Sequence, residues 1–327
     1  MIKLGIVGYG NLARGVECAI RQNPDLHLEA IFTRRDPNTV HILTPEVPVL
    51  PIGETSAWQG RIDVMILCGG SAADLPWMTP KFAREFNVVD SFDTHANIPA
   101  HFAAVDAAAS ESGHLAVISV GWDPGLFSIQ RLYGCAVLPN GTDYTFWGKG
   151  VSQGHSDAIR RIPGVLDARQ YTIPVPEALC RVRNGESPTF AAREMHSRHC
   201  YVVEEEGADR AAIEAAIKTM PNYFVGYDTI VEFIDAETLR REHGGLPHGG
   251  TAIRNGRTGW AGEYCQTIEY QLKLESNPQF TGSVLAACAR AAVRLWERGE
   301  IGCRTMLDLA PADLSPLSRE EMLKHLL

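Results

Sequence analysis

The chain has 327 residues, 45% of them hydrophobic and 21% charged, an ordinary globular composition with enough length for two cores. A formal net charge of −9 leaves no broad basic surface for nucleic acid, and no stretch approaches the roughly 18 uninterrupted apolar residues of a membrane span. The opening "MIKLGIVGYG" is too short an apolar run for a secretory leader, and the eight cysteines (18, 68, 135, 180, 200, 265, 288 and 303) form no CxxC pair. Free thiols in a reducing, cytoplasmic setting are expected.

In chain order, "KLGIVGYG" reads as a buried parallel strand running into glycines. "NLARGVECAIRQ" then spaces Leu12, Val16, Ala19 and Ile20 as one helix face, stopped by Asn23-Pro24. "LHLEAIFTRR" is the second strand. "RIDVMILCGG", "FNVVDSF" and "HLAVISVGWD" supply further strands, with "AADLPWMTPKFAREF" and "IPAHFAAVDAAAS" as helices between them. This alternation predicts a parallel sheet with right-handed crossovers, a Rossmann-type α/β domain.

Gly8, Gly10 and Ala13 satisfy G-x-G-x-x-G/A directly after a strand and at the start of a helix. The first glycine permits the tight turn, the second lets a pyrophosphate approach the backbone, and the small third residue lets helix and strand pack closely. The helix N-terminus offers unpaired N–H groups and the positive end of its dipole. Tyr9, Asn11 and Leu12 in the same turn, with Cys68, Gly69 and Ser71 after the "VMIL" strand, are expected to complete the cofactor site. At the end of the second strand, where an acid would hold the ribose 2′-OH of NAD, stand Thr33, Arg34 and Arg35. Guanidinium suits phosphate, so NADP is predicted, although "RRDP" also fits a solvated turn.

"DSFDTH" and "SVGWDPGLFS" follow strands of the same sheet, at the edge where open α/β sheets bind ligands. Asp93 and Asp123 would lie near the nicotinamide with Trp122 as a wall, suited to an ammonium-bearing substrate or to proton transfer. Asp123-Pro124-Gly125 also fits a cap for the helix "LFSIQRLYGCAVL".

Beyond about residue 140 the alternation ends. "TDYTFWGKG", "LDARQYTIP", "SRHCYVVEE", "DTIVEFID", "PHGGTAIRN" and "YCQTIEYQLKL" are strand-like, separated by helical pieces such as "DAIRRI", "PEALCRVR" and "ADRAAIEAAIKTM". That predicts an α+β second domain with a mixed or antiparallel sheet. The long helix "NPQFTGSVLAACARAAVRLWERG" and the terminal "SPLSREEMLKHLL" are expected to pack back near the first domain. The expected division is 1–121 (with about 275–327) for the dinucleotide and 122–274 for substrate. His196, His199 and Cys200 offer metal-ligand types, but strand geometry points the two histidines to opposite faces and no fourth ligand has a recognisable spacing, so no metal is expected. No G-x-S-x-G elbow marks a serine hydrolase.

Taken together, "GYGNL", "FTRR", "GWDPGLFSI", "FWGKGVSQGHSDAIRRIPGV", "TMPNYFVGY", "PHGG" and "KLESNPQFT" resemble meso-diaminopimelate D-dehydrogenase along nearly the whole chain. The resemblance implies an NADP-dependent homodimer with a dinucleotide domain, a dimerisation domain and a substrate site between them. It implies reversible oxidation of the D-centre of meso-2,6-diaminopimelate to L-2-amino-6-oxopimelate and ammonia, the product cyclising to tetrahydrodipicolinate. It places Asp93, Asp123 and Trp147 around the reacting centre, with Gln153, Gly154 and Asp157 close by. Thr172, Arg198 and His248 match positions holding the distal carboxylate, and Asn277 one that binds the distal amino group. His155 is a third candidate for proton handling, with a structural role equally open at a helix start. Cys265 and Gln266 stand where the family pattern is more polar, which puts selectivity in question if they touch substrate. The rival readings are another Rossmann amino-acid reductase of the lysine or aspartate pathways, which need not carry "QGHSDAIRRIPG", and an NADPH-sensing regulator, which needs no polar lining in a second domain.

Overall fold

A computed structural model describes all residues, Met1–Leu327. In chain order the strands and helices are β1 (Ile2–Val7), α1 (Asn11–Arg21), β2 (Leu26–Thr33), β3 (Val49–Pro51), β4 (Val64–Leu67), α2 (Leu75–Ala83), β5 (Asn87–Asp90), α3 (Ile98–Ser112), β6 (Leu115–Ile118), α4 (Leu126–Val137), β7 (Thr142–Trp147) and β8 (Gly150–Val151). There follow α5 (Gln153–Arg160), β9 (Val165–Pro174), α6 (Pro176–Arg183), α7 (Ala192–Met195), β10 (His196–Glu204), α8 (Arg210–Lys218), β11 (Asp228–Phe233), α9 (Ala236–His243), β12 (His248–Thr258) and β13 (Tyr264–Leu274). The chain closes with α10 (Asn277–Glu297), β14 (Gly302–Thr305), α11 (Pro311–Leu314) and α12 (Arg319–Leu326). Two compact units result: Met1–Ile129 with Pro278–Leu327, and Gln130–Asn277.

The first unit holds a seven-stranded sheet in the order β14-β6-β5-β4-β1-β2-β3, every pairing parallel. Two of its strands escape the sequence reading. β3 is short and ends in proline, and β14 is a four-residue piece behind a long helix whose pairing with β6 only the tertiary fold supplies. The buried strands and α1 share one core with α10, which contributes Val284, Leu285, Cys288, Ala289, Ala292 and Val293. α1 and α10 cross at backbone contact: a Cβ on Gly282 would lie 2.3 Å from the Gly15 carbonyl carbon, and one on Gly15 2.2 Å from the Pro278 oxygen. Arg290 on α10 is 1% exposed and bonds both oxygens of Asp25 at 2.6 and 2.8 Å, Asn23 Oδ1 at 2.7 Å and the Leu314 carbonyl at 2.9 Å.

The second unit has a four-stranded mixed sheet, β11-β10-β9-β8, and a three-stranded antiparallel sheet, β13-β12-β7. α5 and α8 bury Ile159, Ile213 and Ile217 with Ala168, Cys200 and Val202 of β9 and β10. α6 packs Ala178 and Val182 against Tyr144, Phe146 and Ile253 of the smaller sheet. Arg254 of β12, paired with Asp143, also donates to the Leu138 carbonyl beyond the end of α4, where a cation suits the helix dipole.

Gly282→Ala should destabilise the protein by about 1–3 kcal/mol through overpacking, although alanine is intrinsically the better helix former by about 1 kcal/mol; urea unfolding gives the sign. Arg290→Met should cost about 3 kcal/mol, the scale for breaking a buried pair. The Arg290 hydrogen bonds hold the Asp25 carboxyl below the usual carboxylate range, against burial. A depressed folded pKa stabilises above the unfolded value of about 3.9 and ceases to do so as pH falls through the folded one. Stability of the wild type should therefore fall in acid more steeply than that of Arg290→Met, as thermal melts below about pH 4 would record.

Candidate active site

Because the large sheet is wholly parallel, the carboxyl ends of β1, β2, β4, β5 and β6 share one edge. At the end of β1, Gly8 turns at φ +87°, and a Cβ there would meet the Cys68 carbonyl oxygen at 3.1 Å. Gly10 caps α1 with no side-chain bond and only open space where its Cβ would be, so the first-turn N–H groups are available to an anion. Ala13 is fully buried. These features fit the pyrophosphate of a dinucleotide.

At the end of β2 the cationic pair is already oriented. Thr33 Oγ1 accepts from the Arg35 N–H at 3.0 Å, and the Arg35 guanidinium donates to the Tyr9 carbonyl. Arg34 Nη1 lies 2.8 Å from Asp74 Oδ1, and the other Asp74 oxygen accepts from the Gly70 N–H at 2.9 Å. Burial opposes the charge on Asp74, yet the Gly70 N–H and the Arg34 guanidinium together hold its carboxyl below the usual range. The Tyr9 hydroxyl, pushed up to about 12 by burial and by Glu17, donates to Glu17 at 2.5 Å. A cleft of about 270 Å³ is lined by Gly8, Tyr9, Gly10, Thr33, Arg34, Arg35, Cys68 and Gly69, joined by Val7, Ile52, Gly70, Asp74 and Met78. Asp74 was missed, and only its place opposite Arg34 reveals it. Asn11 and Leu12 lie on α1 outside that lining, and Ser71 serves elsewhere: its hydroxyl accepts from the Asp93 N–H at 2.9 Å. Burial pushes the Cys68 thiol up to about 12, so it stands in the cleft wall as a neutral group.

Asp93 follows β5 and is exposed; Asp123 follows β6 and is half-buried. Trp122 is buried, edge-on to Phe127 with ring centroids 5.4 Å apart. A Cβ on Gly125 would sit 1.9 Å from the Gly121 oxygen, so the turn carrying Trp122 and Asp123 closes only with glycine there.

In the second unit, Arg198 and Thr172 face each other across the β9–β10 pairing, and the guanidinium donates to the Thr172 hydroxyl. Arg198 is 8% exposed and lies 4.1 Å over the Tyr227 ring; its Nε has no acceptor and no carboxylate pairs with it. Burial lowers its pKa from the ordinary value, as expected for a cation without a counter-ion. Gln170, two residues before Thr172, is fully buried with its Oε1 unsatisfied, a polar neighbour that sequence reading passed over.

Glycines bring distant motifs together. A Cβ on Gly148 would meet the Thr172 oxygen at 2.1 Å, and one on Gly150 the His248 ring at 2.6 Å. The Gly148 N–H bonds Gly249 at 2.8 Å and the Asn277 N–H bonds Leu246 at 2.9 Å, so Trp147, Thr172, His248 and Asn277 belong to one packed region. Trp147 stacks on His196 at 5.2 Å, and its backbone N–H donates to His196 Nε2 at 2.8 Å. Burial, then the Arg198 charge, push His196 down to about 4, so it is the neutral acceptor this bond requires. His199, on the opposite face of β10, pairs with Glu232 at 2.6 Å, and Cys200 is in the core.

At the start of α5, Gln153 and Gly154 are exposed. His155 is held by the Ser152 hydroxyl at 2.6 Å, edge-on to Tyr223 and Phe224, and pushed by burial to about 4, a structural placement rather than that of a base near neutral pH. Asp157 turns along the helix to Arg160. Cys265 and Gln266 lie on the exposed β13, bonded to Gly185 and Thr258.

A model of the diaminopimelic acid dehydrogenase C-terminal domain matches residues 121–276. The meso-diaminopimelate D-dehydrogenase of Ureibacillus thermosphaericus is 59% identical over 326 residues, 100% of this chain and 99% of that protein. The structure of C. glutamicum DAP dehydrogenase in complex with DAP is similar at 45% identity and TM-score 0.92, covering 100% of this chain and 99% of that one. An engineered D-amino acid dehydrogenase bound to NADP+ is similar at 44% identity and TM-score 0.87, with coverage of 100% and 99%. With full-length identity this high, the chain belongs to the meso-diaminopimelate D-dehydrogenase family.

Proposed function

We infer that this protein is an NADP-dependent dehydrogenase acting on meso-2,6-diaminopimelate, converting its D-centre reversibly to the carbonyl of L-2-amino-6-oxopimelate with release of ammonia. The observation that carries this reading is Arg198, a buried guanidinium with an orphaned Nε and no carboxylate of its own. Thr172 and the Tyr227 ring offset only part of the cost of burying such a cation, and a ligand carboxylate could take its bonds bidentately.

In this reading Arg198, Thr172 and His248 grip the distal carboxylate, and Asn277 binds the distal amino group. Holding one end of a nearly symmetric diacid decides which centre is presented for reaction, so positioning supplies much of the catalysis. Trp147, oriented by His196, and Trp122 wall the reacting end, and Gln153, Gly154 and Asp157 border it. Gly8, Gly10, Arg34 and Arg35 hold the cofactor, and Tyr9, Thr33, Cys68 and Gly69 support that site, flanked by Asn11 and Leu12 on α1 and by Ser71, whose hydroxyl takes the Asp93 N–H. Held there, NADP+ would supply the acceptor for the hydride of the D-carbon. Asp93 and Asp123 bind the amino group, take up its proton and guide the water that adds to the resulting imine, after which ammonia leaves. The 2-amino-6-oxo product closes on itself to tetrahydrodipicolinate. We assign a homodimer, supported by the long exposed edge strand β13 and the exposed Leu132, Tyr133, Val137 and Tyr264. A cytoplasmic setting accords with eight free cysteines, and no helix is long and apolar enough to cross a membrane.

Purified protein given separated meso-, LL- and DD-diaminopimelate with NADP+ or NAD+ should form reduced cofactor from the meso isomer with NADP+. Silence on all three isomers while NADPH still binds would sink the activity and spare the cofactor site. Arg198→Met should lower kcat/KM about 10- to 150-fold, the worth of one charge-assisted contact. Arg34→Ser should erode the preference for NADP over NAD, whereas Arg35→Ser should weaken both cofactors, because Arg35 also ties the Tyr9 carbonyl.

A further inference from the structure

Asp90, the last residue of β5, is 0% exposed and its carboxylate receives four donors. Oδ1 accepts from the backbone N–H of Phe92 at 3.0 Å and of Ser119 at 2.9 Å. Oδ2 accepts from Thr79 Oγ1 of α2 at 2.7 Å and meets His101 Nε2 of α3 at 2.7 Å. Its own backbone oxygen takes the Val120 N–H at 2.9 Å. Four donors saturate a carboxylate, which is how one can be held in a dry interior.

The placement of those donors is what matters. Phe92 immediately precedes Asp93, and Ser119–Val120 lead into Trp122 and Asp123. Ser119 sits at φ +57°, a backbone conformation that residues with a Cβ rarely adopt, and its N–H and the next one both end on Asp90. From behind, His101 stacks on Phe92 at 4.2 Å and, with Thr79, fixes the side chain of Asp90. One buried side chain therefore joins the loops leaving two neighbouring strands.

We propose that Asp90 is a positioning residue: its carboxylate clamps the loops after β5 and β6 together and so sets the spacing of Asp93 and Asp123. The proposal rests on the roles given above to those two carboxylates. A misplacement of about 1 Å at reacting groups can cost about 100-fold in rate. The Gly8 turn, Arg34 and Arg35 make no hydrogen bond to Asp90, Thr79 or His101.

The test compares Asp90→Ala, Asp90→Asn and Thr79→Val by kcat on meso-diaminopimelate, NADPH affinity and thermal melting. Asp90→Ala should lower kcat about 100-fold with NADPH affinity within about threefold. Asp90→Asn, whose amide oxygen can still face both N–H groups, should recover most of that loss. Thr79→Val, which removes one rear support and leaves both backbone N–H contacts to Asp90, should lower the melting temperature and lower kcat far less than Asp90→Ala does. If Asp90→Ala and Thr79→Val melt lower by similar amounts and neither changes kcat per NADPH-binding site, Asp90 is merely structural and the proposal fails. Should Asp90→Ala not fold, Asp90→Glu keeps the charge but displaces the oxygens; wild-type kcat in that variant overturns the clamp. Silence of the wild type on meso-diaminopimelate would instead remove the functional reading. The clamp is then read by hydrogen exchange, which Asp90→Asn should leave slow at 91–94 and 119–123 and Asp90→Glu should accelerate; equal exchange in both overturns it.

Discussion

A parallel strand cannot turn back on its neighbour, so each strand of the large sheet needs a crossover before the next begins. That constraint sends every carboxyl end to the same edge, and the residues following those ends meet there whatever their distance in sequence. The Gly8 turn, the arginines after β2, the Cys68–Gly70 turn and the Asp93 and Asp123 loops are neighbours for this reason. The sheet also needs helices on its faces, and α10 supplies one by returning from the far end of the chain, which is why the first unit is discontinuous. Gly15 and Gly282 are the local cost of that return, since only residues without a Cβ allow the two helix backbones to touch.

Three buried guanidiniums differ in how their charge is met. Arg290 and Arg254, 1% and 6% exposed, each have a carboxylate of the same unit, Asp25 and Asp143. Arg198, 8% exposed, has a hydroxyl and an aromatic face but no acid. Desolvating a cation is expensive wherever it happens, and an aromatic face offsets only part of that. Two of the buried arginines are paired with acids and the third is not, and the role proposed for Arg198 rests on that contrast more than on its burial.

Much of this was legible in the sequence because the signals are local. The strand-turn-helix fingerprint of Gly8, Gly10 and Ala13 and the pair Arg34-Arg35 depend on adjacent residues and fixed periods. The strand alternation that puts His196 and His199 on opposite faces of β10 is local too, and the two have different partners. What could not be read depends on contacts between distant segments. β14 is four residues whose strand character comes from pairing with β6. His196 looks like a candidate ligand until Trp147 is seen donating to it. Asp90 is one acid among many in sequence, and only the convergence of α2, α3, β5 and the β6 loop marks it. Gly148 and Gly150 could be recognised in a family motif, but the reason for them, the approach of Thr172 and His248, is tertiary.

The arginine pair shows why a motif needs its neighbours before its energetics are understood. Both side chains are exposed, yet each has a partner: Arg35 donates to the Tyr9 carbonyl and Arg34 pairs with Asp74. An internal acid beside a phosphate site looks self-defeating, since it competes for the cation that the phosphate requires. Yet a lone flexible arginine must lose most of its rotamer freedom on binding, about 2 kcal/mol for a long side chain. Asp74, itself fixed by the Gly70 N–H, removes part of that loss beforehand by holding Arg34 at the cleft. A doubly charged phosphate outweighs one partly solvated carboxylate in attracting a guanidinium, while an uncharged ribose hydroxyl does not. With Arg34 in its proposed place at the phosphate, Asp74 would favour the phosphorylated cofactor twice: by ordering that arginine, and by setting a threshold of charge that an unphosphorylated ribose cannot reach.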